Sequence, residues 1–241
     1  MPKILIVIPT FNEAESLPIL IEKIAKETNN KETEILIVDD DSPDGTSHIV
    51  KKLQKTYPNL QLITKTEDKG FSKAYITGFQ HALKGEYDIV FQMDADGSHQ
   101  PVFIKNMVAK IEEGCDYVIG SRWVKGGSVV NWPLSRKILS IGGNIYARLM
   151  LKTKNKDITG GFKAIRFSLL EKMKTETITT TGYSFQIELF LRARSLKAKI
   201  CETPIEFIER EQGASKMSRK IVLEAIRYVT LKGFAKNETF D

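Results

Sequence analysis

Five short apolar runs, at 4–8, 35–38, 60–63, 89–93 and 117–119, recur through the first half of the chain, with helical segments of about 12 to 16 residues between them. Strands that alternate with helices in this way pair in parallel, because a crossover of helix length is what returns the chain to the same sheet. The runs are continuously apolar rather than alternating, so both faces of these strands are covered. The expected fold is α/β: a Rossmann-like, mostly parallel sheet with helices on both faces. A chain of 241 residues is long enough to bury such a core as one large domain with appendages.

In an open sheet of this kind ligands lie beyond the carboxyl ends of the strands, and polar motifs cluster there in this chain. The fourth run ends in Met93-Asp94-Ala95-Asp96-Gly97-Ser98-His99. Two carboxylates one residue apart at the end of a buried strand cost roughly several kcal/mol in desolvation and repulsion. A divalent cation removes that cost, and hard oxygen ligands suit Mg2+ or Mn2+. The alternative is an acidic pair that merely leads into the helix opened by Pro101. After the first run, Asn12 and Glu15 have the spacing of a helix N-cap, which leaves Pro9 and Phe11 unexplained. An aromatic at such a tip either stacks on a base or packs. After the second run, residues 39–44 carry four acids in six positions, more than a turn requires. Ser42 or Asp44 can cap the next helix, which leaves Asp40 to accept hydrogen bonds from a ribose or a base. Gly70 opens a helix N-terminus suited to anions. Arg122 follows the fifth run and is the first arginine in the chain. Its guanidinium suits a diphosphate, with a salt bridge as the alternative.

Charge divides the chain. Residues 1–120 hold 13 lysines, no arginine and 19 acids, a net of −6, and residues 121–241 carry +12. The second half therefore faces an anionic partner, whether phosphate, nucleic acid or membrane surface, or else it presents a solvated basic face. Residues 135–152 form one helix or two short ones, apolar and fenced by Arg and Lys, too short to span a bilayer. They either lie in its interface or pack on the core. Gly182 opens an amphipathic helix in which Glu188 is either a structural ion pair or a site group. Pro204 marks residues 204–210 as an edge strand. Residues 219–234 read as a basic amphipathic helix with Ile221, Val222, Ala225, Ile226, Val229 and Leu231 near one face. Cys115 and Cys201 sit in separate apolar settings and point to neither a disulfide nor a zinc site, hence to a reducing compartment. No leader and no membrane span are expected, so the site of action is cytoplasmic.

Taken together these segments resemble the inverting family 2 glycosyltransferases of the GT-A fold, and within them the polyprenol (dolichol) phosphate mannosyltransferases. The resemblance runs through Pro9-Thr10-Phe11-Asn12-Glu13, Val38-Asp39-Asp40, Met93-Asp94-Ala95-Asp96 with Ser98-His99, and Gly120-Ser121-Arg122. It continues through Asn131-Trp132-Pro133, Thr159-Gly160-Gly161-Phe162, Gly182-Tyr183 with Phe185-Gln186, and Arg210 to Lys216. It implies that Pro9, Phe11, Glu13, Val38 and Asp40 hold the nucleoside of a sugar nucleotide, typically GDP-mannose. It also implies that Asp94, Ala95 and Asp96 bind the donor, that Asp94 and Asp96 hold its Mg2+ or Mn2+, and that Ser98 is a further ligand position. Arg122, Arg210 and Lys216 would contact the donor diphosphate or the acceptor phosphate. The chain departs from the family at Gly70-Phe71-Ser72, where relatives often have Gly-Leu-Gly, and at Asp41, where many have Gly.

The expected division is a catalytic domain at 1–212, with a nucleotide-sugar half (1–122) and an acceptor half (123–212), followed by a basic helix at 213–241. The expected reaction transfers mannose to a polyprenol phosphate with inversion, peripherally on the cytoplasmic face of a membrane. A phosphomonoester is already a dianion at pH 7 and needs no general base. The rival enzyme is a family 2 transferase with another donor, such as UDP-glucose, or another acceptor. A nucleotide- or nucleic-acid-binding module leaves the Asp pair unexplained, and no nucleic-acid partner is expected.

Overall fold

The computed structural model describes residues 2–29, 31–209 and 219–235. In the first half, strands β1 (Ile4–Thr10), β2 (Thr33–Asp39), β3 (Leu60–Thr64), β4 (Ile89–Gln92) and β5 (Tyr117–Ser121) alternate with helices. These helices are α1 (Ser16–Glu27), α2 (Thr46–Leu53), α3 (Phe71–Ala82) and α4 (Ile104–Glu112). The second half adds β6 (Ser128–Val130), α5 (Leu134–Met150), β7 (Lys163–Arg166), the single turn α6 (Phe167–Leu170) and α7 (Gly182–Ser195). It closes with β8 (Ile200–Pro204), β9 (Glu206–Ile208) and α8 (Arg219–Phe234).

One seven-stranded sheet runs in the order β3-β2-β1-β4-β7-β5-β8. Every pair is parallel except those made by β7, which lies antiparallel between β4 and β5. The expected mostly parallel sheet is thus present, with one reversed strand inserted beside the Asp-bearing β4. Strand residues alternate between two cores, as a period of two requires. Ile4, Ile6 and Ile8 face α1, α2 and α4, whereas Leu5 and Val7 face α3, α5, α7 and α8.

Four expectations are corrected here. Cys115 and Cys201 are joined in a disulfide, with Cα atoms 6.1 Å apart. They lie 86 residues apart in sequence, and only the pairing of β5 with β8 brings them together. The inference of a reducing compartment from two separate thiols loses its premise. Helix α7 is not amphipathic: every residue from Ser184 to Ala193 is buried, because the helix lies between the sheet, α3 and α8. On α8, Ile226 and Leu231 point outward and Val229 alone is fully buried among the described side chains. Residues 204–209 do not form one edge strand: Pro204 ends β8, which is the sheet edge, and β9 turns away at the buried Ile205 to pair with β6.

Candidate active site

The carboxyl ends of β1, β2, β4 and β5 open on one cavity of about 450 Å3. Pro9, Phe11, Glu13 and Asp40 line one end, Asp94, Ala95, Asp96 and Ser98 the middle, and Arg122, Arg136 and Tyr183 the other end. Val38 is not among the lining residues; it is fully buried in the core opposite Pro9. Arg210 and Lys216 lie outside the described residues.

The acids after β2 divide their labour. Asp39 is fully buried and accepts hydrogen bonds from Thr10 Oγ1, Ser42 N and Oγ, and Ser47 Oγ, so it organises the loop. Asp44 accepts from Thr46 and from Ala14 N, stitching this loop to the one after β1. Asn12 does not cap α1. Its backbone is left-handed (φ 61°), its N–H donates to Ser42 Oγ, and the helix starts only at Ser16. Asp41 turns outward and pairs with Lys69. Asp40 is different. One of its carboxylate oxygens takes the Gly70 N–H at 2.6 Å, and the other, Oδ1, is buried without a partner. Gly70 has φ 134°, a conformation that an L side chain resists, which is why glycine keeps this turn although Phe71 and Ser72 follow it. An orphaned carboxylate oxygen at a cavity wall is a strong acceptor awaiting a donor.

At the end of β4, Tyr75 donates to Asp94 Oδ1 at 2.8 Å, and Ser98 donates both N–H and O–H to Asp96 Oδ1. His99 Nδ1 accepts the Asp94 N–H, so its proton sits on Nε2, which approaches Asp94 Oδ2 at 3.9 Å. The ring stacks on Phe162, and burial pushes His99 below the ordinary histidine range. Burial also pushes the Asp94 carboxyl up, against the pull of His99, and the Asp96 charge adds to the rise. The remaining oxygens, Asp94 Oδ2 and Asp96 Oδ2, have no hydrogen-bonded partner among the described residues. No cluster of three or more His, Cys, Asp or Glu side chains forms a metal cage among those residues. Two carboxylates with open oxygens fit the way Mg2+-like ions bind, through one or two acids plus substrate phosphates.

Arg122 is already engaged. Its Nε and Nη2 form a fork on Asp157 at 2.8 and 2.6 Å, and its own N–H reaches the same carboxylate. Burial opposes the charge, but Asp157 outweighs it and keeps Arg122 protonated. Trp123, Trp132 and Phe207 surround the guanidinium at 5.5 to 5.7 Å, a cation–π setting. Nη1 has no protein hydrogen-bond partner among the described residues. Arg136, at the start of α5, lies over Trp132 at 4.1 Å and pairs with Glu209. The sequence alone did not single out Asp157, Tyr75 or Lys163 for the site, and it offered Arg136 only as part of the basic fence around the 135–152 segment, whereas Arg136 lines the cavity. Only the Trp-Pro break ahead of α5 and the acid opening the Thr159-Gly160-Gly161 turn hinted at them. Glu188 proves to be a structural ion pair: it binds Arg192 and Thr180 at the back of α7.

The glycosyl transferase family 2 profile matches residues 5–174. The chain belongs to that family. An undecaprenyl-phosphate mannosyltransferase of Micrococcus luteus is 42% identical over 97% of this chain and 95% of its own length. A polyprenol monophosphomannose synthase of Mycolicibacterium smegmatis is 40% identical over 92% and 83%. A dolichol-phosphate mannosyltransferase of Pyrococcus furiosus is 37% identical over 94% of this chain and 62% of its own. Among solved structures, glucosyl-3-phosphoglycerate synthase of Mycobacterium tuberculosis superposes with a TM-score of 0.70 at 16% identity, covering 96% and 80%. A mannosyltransferase of Pyrobaculum calidifontis in complex with GDP-Man and Mn2+ superposes at 0.62 and 16%, covering 97% and 70%. The fold of this glycosyltransferase is therefore GT-A.

Proposed function

We propose that the protein transfers mannose from GDP-mannose to a polyprenyl monophosphate, inverting the anomeric centre. The observation that carries this reading is the 42% identity to an undecaprenyl-phosphate mannosyltransferase along nearly the whole of both chains. The cavity agrees with it chemically. Asp40 Oδ1 offers the acceptor that a guanine N–H group needs, with Pro9, Phe11 and Glu13 at the same end. Asp94 and Asp96 would hold Mg2+ or Mn2+, which would neutralise the donor diphosphate. Arg122 Nη1 and Arg136 present fixed positive charge at the far end, where the donor diphosphate and the incoming acceptor phosphate would lie. By the family resemblance, Arg210 and Lys216 join them. The dianionic acceptor phosphate is its own nucleophile, so positioning and charge neutralisation carry the reaction.

The lipid acceptor requires a surface. Among the described residues no helix is long and apolar enough to cross a membrane. Yet α5 exposes Leu134, Ile138, Leu139, Ile145 and Leu149, and α8 exposes Leu223, Ile226, Leu231 and Phe234. Lys137, Arg148 and Lys152 lie on or beside the first set, and Arg227 on α8 beside the second. Apolar side chains among basic ones complement an anionic bilayer interface, and we place peripheral attachment there. The cytoplasmic face is the proposed side, because a charged nucleotide sugar does not cross a bilayer unaided.

The deciding assay uses radiolabelled GDP-mannose against UDP-glucose, with a short polyprenyl phosphate and with EDTA as control. EDTA-sensitive mannosyl lipid formation from GDP-mannose is expected. Equal or better transfer from UDP-glucose would replace the donor, and failure with every lipid phosphate would overturn the acceptor.

A further inference from the structure

Beneath the Asp94 turn lies a buried polar island that the proposed reaction does not yet use. Lys163 on β7 is fully buried in register with Gln92 on β4 and Ile119 on β5. Its Nζ donates to the backbone oxygen of Gln186 at 3.1 Å and to the Gln186 side-chain oxygen Oε1. Both partners are acceptors, so the amine binds them through N–H groups whether or not it carries its third proton. The Gln186 carbonyl must therefore face Lys163 and its NH2 must face away. That NH2 has no partner, although Gln186 is only 3% exposed.

The orphan donor points at one place. A Cβ built on Gly161 would lie 3.7 Å from Gln186 Nε2 and 3.2 Å from both Asp94 Oδ2 and His99 Cε1. Glycine at 161 thus leaves open the spot where a buried donor and the open Asp94 oxygen converge, and Gly161, Gln186 and Asp94 all line the cavity. A donor beside an acceptor is complemented by a hydroxyl, which both accepts and donates. We infer that Gln186 is a sugar-hydroxyl ligand, donating its Nε2–H over Gly161 to a hydroxyl of the hexose on the nucleotide donor, and that Lys163 is the positioning residue holding the amide that way round. This rests on the reading of the cavity as a nucleotide-sugar site.

The test measures transfer from the natural donor and its monodeoxy hexose analogues, and binding of GDP with Mn2+ by calorimetry. Gln186→Ala is expected to lower kcat/KM at least roughly tenfold, the effect of one lost hydrogen bond at a desolvated site, while GDP binds within about twofold of wild type. Gln186→Glu keeps the Lys163 contact and replaces donor by acceptor, so it should lose as much. One monodeoxy donor should cost the wild type roughly tenfold and cost Gln186→Ala almost nothing further. Lys163→Met should remain folded and show the same lost discrimination in weaker form. Gln186 variants within twofold of wild type would overturn the assignment. So would deoxy penalties unchanged in the variants, or GDP binding that falls in step with transfer. A wild-type protein that transfers no hexose from any nucleotide would instead sink the reading beneath it.

Discussion

Asp157→Asn should destabilise the protein by about 3 kcal/mol and weaken diphosphate binding together. Asp157 is fully buried, and Arg122 spends three hydrogen bonds on it, from N, Nε and Nη2. Two charges about 4 Å apart attract by roughly 4 kcal/mol at an effective dielectric constant of 20. Removing one partner of a buried pair costs about 3–5 kcal/mol, because the other charge is left uncompensated. Asparagine keeps one acceptor oxygen, which places the expected loss at the lower end of that range. For a domain of this size such a loss lowers Tm by about 6–12 °C. The fork also fixes the guanidinium so that Nη1 stays at the cavity, and its loss frees the group to rotate. Urea unfolding and calorimetry of GDP binding measure both effects. The double replacement Arg122→Met/Asp157→Leu removes both charges, and should recover much of the stability but none of the binding. A single variant melting within about 2 °C of wild type would refute the reasoning, as would a double variant no more stable than the single ones.

Asp96→Ala should abolish EDTA-sensitive transfer while leaving far-UV circular dichroism and Tm near wild type, since its side chain binds only Ser98 among the described residues. Cys115→Ser should lower unfolding free energy by up to roughly 4–5 kcal/mol, the loop-closure value for 86 residues of separation, read by urea titration with and without reductant. Burial pushes Lys163 down to about 7, against the pull of Asp157 and Asp94, while the unfolded chain holds that proton to its ordinary value of 10.5. Between those values the unfolded state binds more protons, so this group makes stability rise with pH, by at most about 1.4 kcal/mol per unit. The contribution is lost as pH falls towards 7, and Lys163→Met should flatten the wild-type slope across that window. Replacing Lys137, Arg148 and Lys152 by Gln should reduce co-sedimentation with anionic liposomes severalfold without altering the soluble fold. Unchanged sedimentation would remove α5 from the membrane.

The local pattern determined a good deal on its own. Apolar runs separated by helix lengths dictate parallel strands, and a parallel sheet places loop residues at its carboxyl edge, so Asp40, Asp94, Asp96 and Arg122 meet there. A strand's own residues suffice for that inference, because direction and spacing are encoded locally. What the sequence could not display was pairing across distance. Arg122 reads alike whether it waits for a phosphate or grips an acid 35 residues away, and only the docking of the Asp157 turn on β5 distinguishes them. The antiparallel β7 put Lys163 under the Asp94 turn, and β8 closed two unremarkable cysteines into a disulfide. Whether Val38 faces the cavity or the core, whether α7 is covered on every side, and which side of α8 is buried all depend on what packs against them. Burial, charge pairing and orphaned donors are properties of a surface assembled from remote segments, and only the folded chain has one.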